Sequence, residues 1–140
     1  MTATTADVAK VLGLTNVRSI DALQERVRRG LPFGVVDRLS QSVSASAAQM
    51  SKLLGISERT LSRRAASKRL GANESDRAVR VARVVALASS VFEDVSAAIA
   101  WLHQPLVALG GGAPIDRLDT DIGTRHVEQL LTRLEYGGVS

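Results

Sequence analysis

Ser57, Arg59, Thr60, Ser62, Arg63 and Arg64 lie within one short stretch, SERTLSRR. A guanidinium fork can hold a phosphate or grip O6 and N7 of guanine, and short hydroxyls can meet a nucleic-acid backbone or a base edge. This is chemistry for binding a polyanion, and nothing else in the chain has the pattern of bond-making chemistry. No nucleophile stands with a base and an orienting group, and no pair of acids forms a recognisable catalytic arrangement. There is no cysteine, and His103 and His126 are the only imidazoles, so no metal set is expected. Gly110 to Gly112 read as a flexible connection rather than a phosphate cradle, because no strand precedes them and no lysine follows. The expectation is a protein without catalytic residues, cofactor or metal.

Those side chains need a helix to present them. AAQMSKLL follows a capping Ser46 and stops at Gly55, and Ile56 with Ser57 completes a turn of the length used in a helix-turn-helix. Ser57 is the natural N-cap of ERTLSRRAAS. At about 100° per residue, Leu61 points one way while Arg59, Ser62, Arg63 and Ala66 lie on the opposite face. Leu61 is then the anchor, with Met50, Leu54 and Ile56 holding the bend. Arg64 occupies a position often apolar in such motifs, and it is expected to shorten the recognition helix or to fold back onto an acid such as Asp76. A capped corner with solvated arginines is the alternative reading of the same residues.

Charge is unevenly spread along the chain. Its formal net value is +4, yet Lys52, Arg59, Arg63, Arg64, Lys68, Arg69, Arg77, Arg80 and Arg83 face only Glu58, Glu74 and Asp76 in the middle. From residue 92 onward the sign reverses, with Glu93, Asp94, Asp116, Asp119, Asp121, Glu128 and Glu135 against Arg117, Arg125 and Arg133. A basic face draws nucleic acid through counterion release, whereas an acidic end suits a different partner. Arg77, Arg80 and Arg83 either extend the DNA footprint or form a solvated polar face, and their spacing fits both.

With 140 residues the chain has the size of one domain or two small ones. Alanine, leucine and arginine are plentiful and alternating runs are scarce, which predicts an all-α fold. Thr5 is placed to cap a helix ending at Gly13, Ser19 to cap IDALQERVRR, and Pro32 to sit in the first turn of FGVVDRLSQSV. Asn73 is placed to cap a helix running from about Glu74 to Val91, with enough apolar sides to be central or to lie in a dimer interface. The predicted division is residues 1–91, holding the N-terminal helices and the helix-turn-helix, and residues 92–140, a small helical module. That module has a helix carrying Trp101, a connection after Pro105, and a last helix capped by Thr120 with an apolar stripe of Ile122, Val127, Leu130, Leu131 and Leu134. Gly137 and Gly138 release the chain. The longest nearly uncharged stretch, VVALASSVF, is too short to span a bilayer, so a soluble protein of a reducing cytoplasm is expected, with no membrane partner.

The stretch LLGISERTLSRR resembles the helix-turn-helix of Xre-type bacterial transcription regulators. Trp101-Leu102, Pro105, Leu109-Gly110, Pro114, Leu118, Gly123, Val127, Leu130 and the ending LEYGG resemble, in their order, the C-terminal toxin-binding domain of Xre/MbcA/ParS-type antitoxins. Together the likeness covers about residues 30 to 140. It implies an antitoxin that neutralises a RES-domain toxin, an enzyme consuming NAD, and that represses its own operon. It also implies that the C-terminal end, Leu134, Glu135, Tyr136, Gly137, Gly138, Val139 and Ser140, reaches the toxin's cleft; Trp101 is a further toxin-binding candidate, with a core anchor as the alternative reading. A homodimer within a larger toxin–antitoxin complex is expected, since one short recognition helix rarely supplies enough specific affinity and paired half-sites solve this. The alternative is a stand-alone helix-turn-helix regulator whose C-terminal part senses a ligand or dimerises.

Overall fold

Helix caps written into the sequence set most of the element boundaries in the computed structural model, which describes residues 3–137. Among these residues eight α-helices follow one another without a strand: α1 (Thr5–Leu12), α2 (Ile20–Arg29), α3 (Gly34–Val43), α4 (Ala47–Leu54), α5 (Glu58–Ser67), α6 (Ala72–Phe92), α7 (Val95–His103) and α8 (Asp121–Gly137). Two short 3₁₀ turns, Val107–Leu109 and Pro114–Arg117, lie in the connection before α8. The all-α expectation is met.

Three starts differ from the sequence reading, each for a local reason. Thr4, not Thr5, caps α1: its Oγ1 accepts the Asp7 N–H at 3.1 Å while the Asp7 carboxylate accepts the Thr4 N–H at 3.1 Å. Pro32 lies ahead of α3 rather than in its first turn. The strip around it is drawn against the end of α5, where Phe33 N–H donates to Lys68 O at 3.1 Å and Leu70 N–H donates to Leu31 O at 2.9 Å. Asn73 is not the cap of α6, because Glu74 accepts the Gly71 N–H at 3.0 Å and moves the start back to Ala72.

The long helix α6 is the centre of the molecule. Ala78, Val81, Ala82, Val84 and Ala88 are fully buried, and their small or β-branched side chains let neighbouring helices approach closely. α1, α2, α3 and α4 pack along α6, while α7 and α8 pack on it as well. Its burial on nearly every side follows from the two apolar faces read in the sequence. α7 turns back from α6 by 119° at the short break around Glu93 and Asp94. Buried residues from Val8 to Leu131 form one continuous apolar cluster, so the compositional change at residue 92 crosses a shared core. Among the described residues no single helix is long and apolar enough to cross a membrane.

Candidate nucleic-acid and partner interfaces

The bend between α4 and α5 is built by backbone geometry that glycine favours. Gly55 sits at φ 71, and a paired closure completes the end of α4: Gly55 N–H donates to Lys52 O at 3.2 Å and Ile56 N–H to Ser51 O at 3.0 Å. Ser57 then caps α5 by accepting the Thr60 N–H at 3.1 Å. Leu61 is buried, 8% exposed, and anchors the helix as its spacing predicted. Ser57, Arg59, Ser62, Arg63 and Ala66 are exposed on the other side, with Thr60 half-buried. The Ser57 hydroxyl donates to Thr60 Oγ1 at 3.1 Å, and Arg63 Nη2 donates to the same oxygen at 3.4 Å. Ser57, Thr60 and Arg63 therefore form one hydrogen-bonded strip on the presented face, with Arg59 beside it.

Arg64 departs from the sequence reading. It folds back, as one expectation held, but onto Glu74 rather than Asp76: Nε lies 2.6 Å and Nη2 3.1 Å from the two carboxylate oxygens. Glu74 is buried, and the Arg64 hydrogen bond is the main cause that holds its carboxyl below the usual range. The guanidinium is stabilised in its charged form by the same bond. A fork already closed on a carboxylate is not presented to a phosphate, so Arg64 positions α5 rather than adding to its contact face. The far end of α5 is fastened too, since Arg69 Nη1 donates to Gly30 O at 2.7 Å. Behind that end, buried Ser75 accepts the Leu31 N–H at 2.8 Å and donates to Gly71 O at 2.7 Å.

The three arginines of α6 are not a simple solvated face. Each is half-buried and tethers another element. Arg77 Nη1 donates to Leu54 O at 3.3 Å, Arg80 Nη2 to Leu118 O at 3.2 Å, and Arg83 pairs with both oxygens of Glu128 at 2.9 and 3.1 Å. The Arg77 guanidinium also packs on the turn, 3.0 Å from where a Cβ on Gly55 would stand.

In the C-terminal part, Trp101 is 8% exposed and lies against Phe92 with ring centroids 5.8 Å apart. This favours the core-anchor reading over contact with a partner, because a ring buried in the core has little area to offer. Its work is to seat α7, which is also tied to α3 by His103 Nε2 donating to Val43 O. Thr120 caps α8 as expected, accepting the Gly123 N–H at 3.0 Å. Gly123 is required there, since a Cβ would stand 2.1 Å from Arg117 O. Val127, Leu130 and Leu131 are buried and Leu134 is half-buried, but Ile122 is 82% exposed and leaves the predicted stripe because it precedes the part of α8 that rests on α6. Glu135 is half-buried, while Tyr136, 75% exposed, and Gly137 reach solvent. Gly138, Val139 and Ser140 lie outside the described residues. Among the described residues no group of His, Asp or Glu side chains could hold a metal ion.

An antitoxin Xre-like helix-turn-helix domain matches residues 22–83, and an antitoxin Xre/MbcA/ParS C-terminal toxin-binding domain matches residues 87–137. The chain is 34% identical to Antitoxin Xre of Photorhabdus laumondii over 81% of its length and 78% of that protein's. It is 32% identical to Antitoxin Xre of Yersinia enterocolitica over 82% of its length and 79% of that protein's. The chain belongs to the Xre family of antitoxins. A Prs ADP-ribosylating antitoxin of Sphingobium is also similar, at 26% identity over 79% of this chain and 76% of that protein. The exposed face of α5 thus lies in the helix-turn-helix DNA-binding domain of this antitoxin, and α7 and α8 lie in its toxin-binding domain. The matched segments meet inside α6, so a single helix serves both. Sequence reasoning missed Glu74 and Ser75 as the groups that fix α5. A signal for Glu74 was present, an acid three residues after the cap position Gly71.

Proposed function

We propose that the antitoxin neutralises a RES-domain toxin that consumes NAD, obstructing the toxin's cleft with its C-terminal end, and that it represses its own operon through α5. The observation that carries this reading is the separation of two exposed surfaces on one core: the Arg59–Arg63 face of α5, and the end of α8 around Tyr136. The α5 face has the form needed to enter a major groove, with Arg59 and Arg63 outward, Ser57 and Ser62 beside them and Leu61 holding the helix from behind. Lys52 and Lys68, exposed at either end of the motif, are placed for phosphates. A homodimer presents two such helices to two half-sites, which supplies affinity that one helix lacks. At the other end, the last turn of α8 carries the exposed Tyr136 and Gly137, a protruding element suited to a concave site.

Co-expression with the protein encoded beside it tests both halves. The antitoxin suppresses NAD loss by that partner, and deletion of residues 135–140 restores the loss while operator gel shifts persist. Arg59→Ala and Arg63→Ala weaken the gel shift without lowering the melting temperature, and a phosphate-holding arginine flattens the salt slope by about one unit when removed. Unchanged gel shifts in both variants overturn the groove assignment. Full NAD protection by the truncated chain overturns the blocking role of the tail.

A further inference from the structure

A cleft of about 560 Å³ opens between α1 and α3 on one side and the end of α6 with α7 on the other. Its size falls within the roughly 300 to 1,000 Å³ of small-molecule sites. Val11, Val85, Ile99 and Leu102 give it an apolar lining, and Lys10 and Arg38 stand at its rim. Arg38 is steadied there by α1, since its Nη2 donates to the main-chain carbonyl of Lys10 at 3.3 Å. Asp7 is the acid of the lining, and its carboxylate already accepts the Thr4 N–H at the cap of α1. An apolar pocket whose lining carries two cationic side chains and one carboxylate already engaged at a helix cap has the chemistry for an amphiphile bearing one anionic head.

The geometry points to this cleft as a binding site for a small monoanionic amphiphile, its hydrocarbon body between Val11 and Ile99 and its carboxylate, sulfate or phosphate head at Lys10 and Arg38. A neutral chain of equal length gains only the apolar contact. The site is separate from both surfaces above: no residue of α5 or α8 is in its lining. Its walls come from α1, which neither family domain covers, from α3 in the helix-turn-helix domain, and from α7 in the toxin-binding domain.

Isothermal titration of the full chain with decanoate, and separately with decanol, reads the site directly. Decanoate binds saturably at one per chain, and the double variant Lys10→Gln, Arg38→Gln weakens it about tenfold, or 1.4 kcal/mol, while decanol binding changes less than twofold. Ile99→Asp abolishes binding of both. Should Ile99→Asp prove unfolded by circular dichroism, Val11→Phe, which fills the cleft from α1, carries the same expectation. Absence of saturable decanoate binding, equal loss of decanoate and decanol in the double variant, or undiminished binding in a folded cleft variant overturns the site. A cleft covered by a second copy gives no decanoate binding together with a dimer that dissociates in Val11→Phe, and this outcome also overturns it.

Discussion

Ser75→Ala tests how far one buried hydroxyl fixes the strip that receives the end of the recognition helix. Ser75 is fully buried, as is Leu31, and the Ser75 hydroxyl accepts the Leu31 N–H at 2.8 Å across 44 residues of sequence. Alanine leaves the packing nearly unchanged but leaves that N–H without an acceptor in an apolar setting. The Gly71 carbonyl, which also loses the hydroxyl, keeps its bond from the Ser75 N–H at 2.9 Å, so one orphaned donor is the whole defect. Such a donor costs about 1 to 3 kcal/mol. Taking the middle of the range, unfolding stability falls by about 2 kcal/mol and the melting temperature by roughly 6 °C. Leu31 also accepts the Leu70 N–H at 2.9 Å, which is what lays the end of α5 against the strip before α3. The loss therefore shows locally as well: hydrogen exchange at the Leu31 and Leu70 amides speeds up more than exchange in the middle of α6. Urea denaturation and amide exchange by NMR measure both effects. A stability change under about 0.5 kcal/mol with unaltered exchange at Leu31 would refute the assignment of Ser75 as the pin.

Gly123→Ala places a Cβ 2.1 Å from Arg117 O, a backbone atom that cannot swing aside, so α8 shifts and stability drops by about 2 to 3 kcal/mol by chemical denaturation; a neutral substitution would contradict that close approach. Glu74→Gln tests the anchor of α5 through pH. The Glu74 carboxyl lies below its ordinary value of 4.5 in the folded protein, so its contribution is fully present above that value and lost as pH falls through the folded one. The difference in urea midpoint between the native chain and Glu74→Gln is therefore widest near neutrality and closes under acid, and a gap that stays constant across that range speaks against the ion pair. Lys68→Gly relieves a lysine held at φ 64 at the end of α5 and raises stability by about 0.5 to 1 kcal/mol, read as an increase in denaturation midpoint.

What the sequence discloses and what it hides divides by distance along the chain. Gly55, Ser57 and Leu61 were legible because each acts on neighbours within one turn of helix: a left-handed closure, a cap on Thr60, an apolar anchor. Arg77, Arg80 and Arg83 were not, because their partners Leu54, Leu118 and Glu128 lie 23, 38 and 45 residues away. Spacing by three reads the same whether an arginine meets water, phosphate or a carbonyl of another helix. Trp101 was ambiguous for a related reason, since order in a motif does not say which side of the core a ring faces. Ile122 fitted a helical period that continued past the edge of the surface α8 rests on.

These hidden tethers change the electrostatic reading as well as the packing. Of the basic side chains between residues 52 and 83, Arg64 and Arg83 are closed on carboxylates and Arg69, Arg77 and Arg80 on backbone carbonyls. Lys52, Arg59, Arg63 and Lys68 are the exposed remainder, and all lie on or beside the bend and the presented face of α5. The guanidinium and ammonium groups left free to meet an outside polyanion are thus gathered at one edge, although Arg69, Arg77 and Arg80 keep their charge. The cations removed from that edge do different work, joining the turn of the DNA-binding domain and the helices of the toxin-binding domain to the same central helix. Free cationic groups gathered on α5 favour one helix meeting one groove, whereas free groups spread along α6 would favour contact in many orientations.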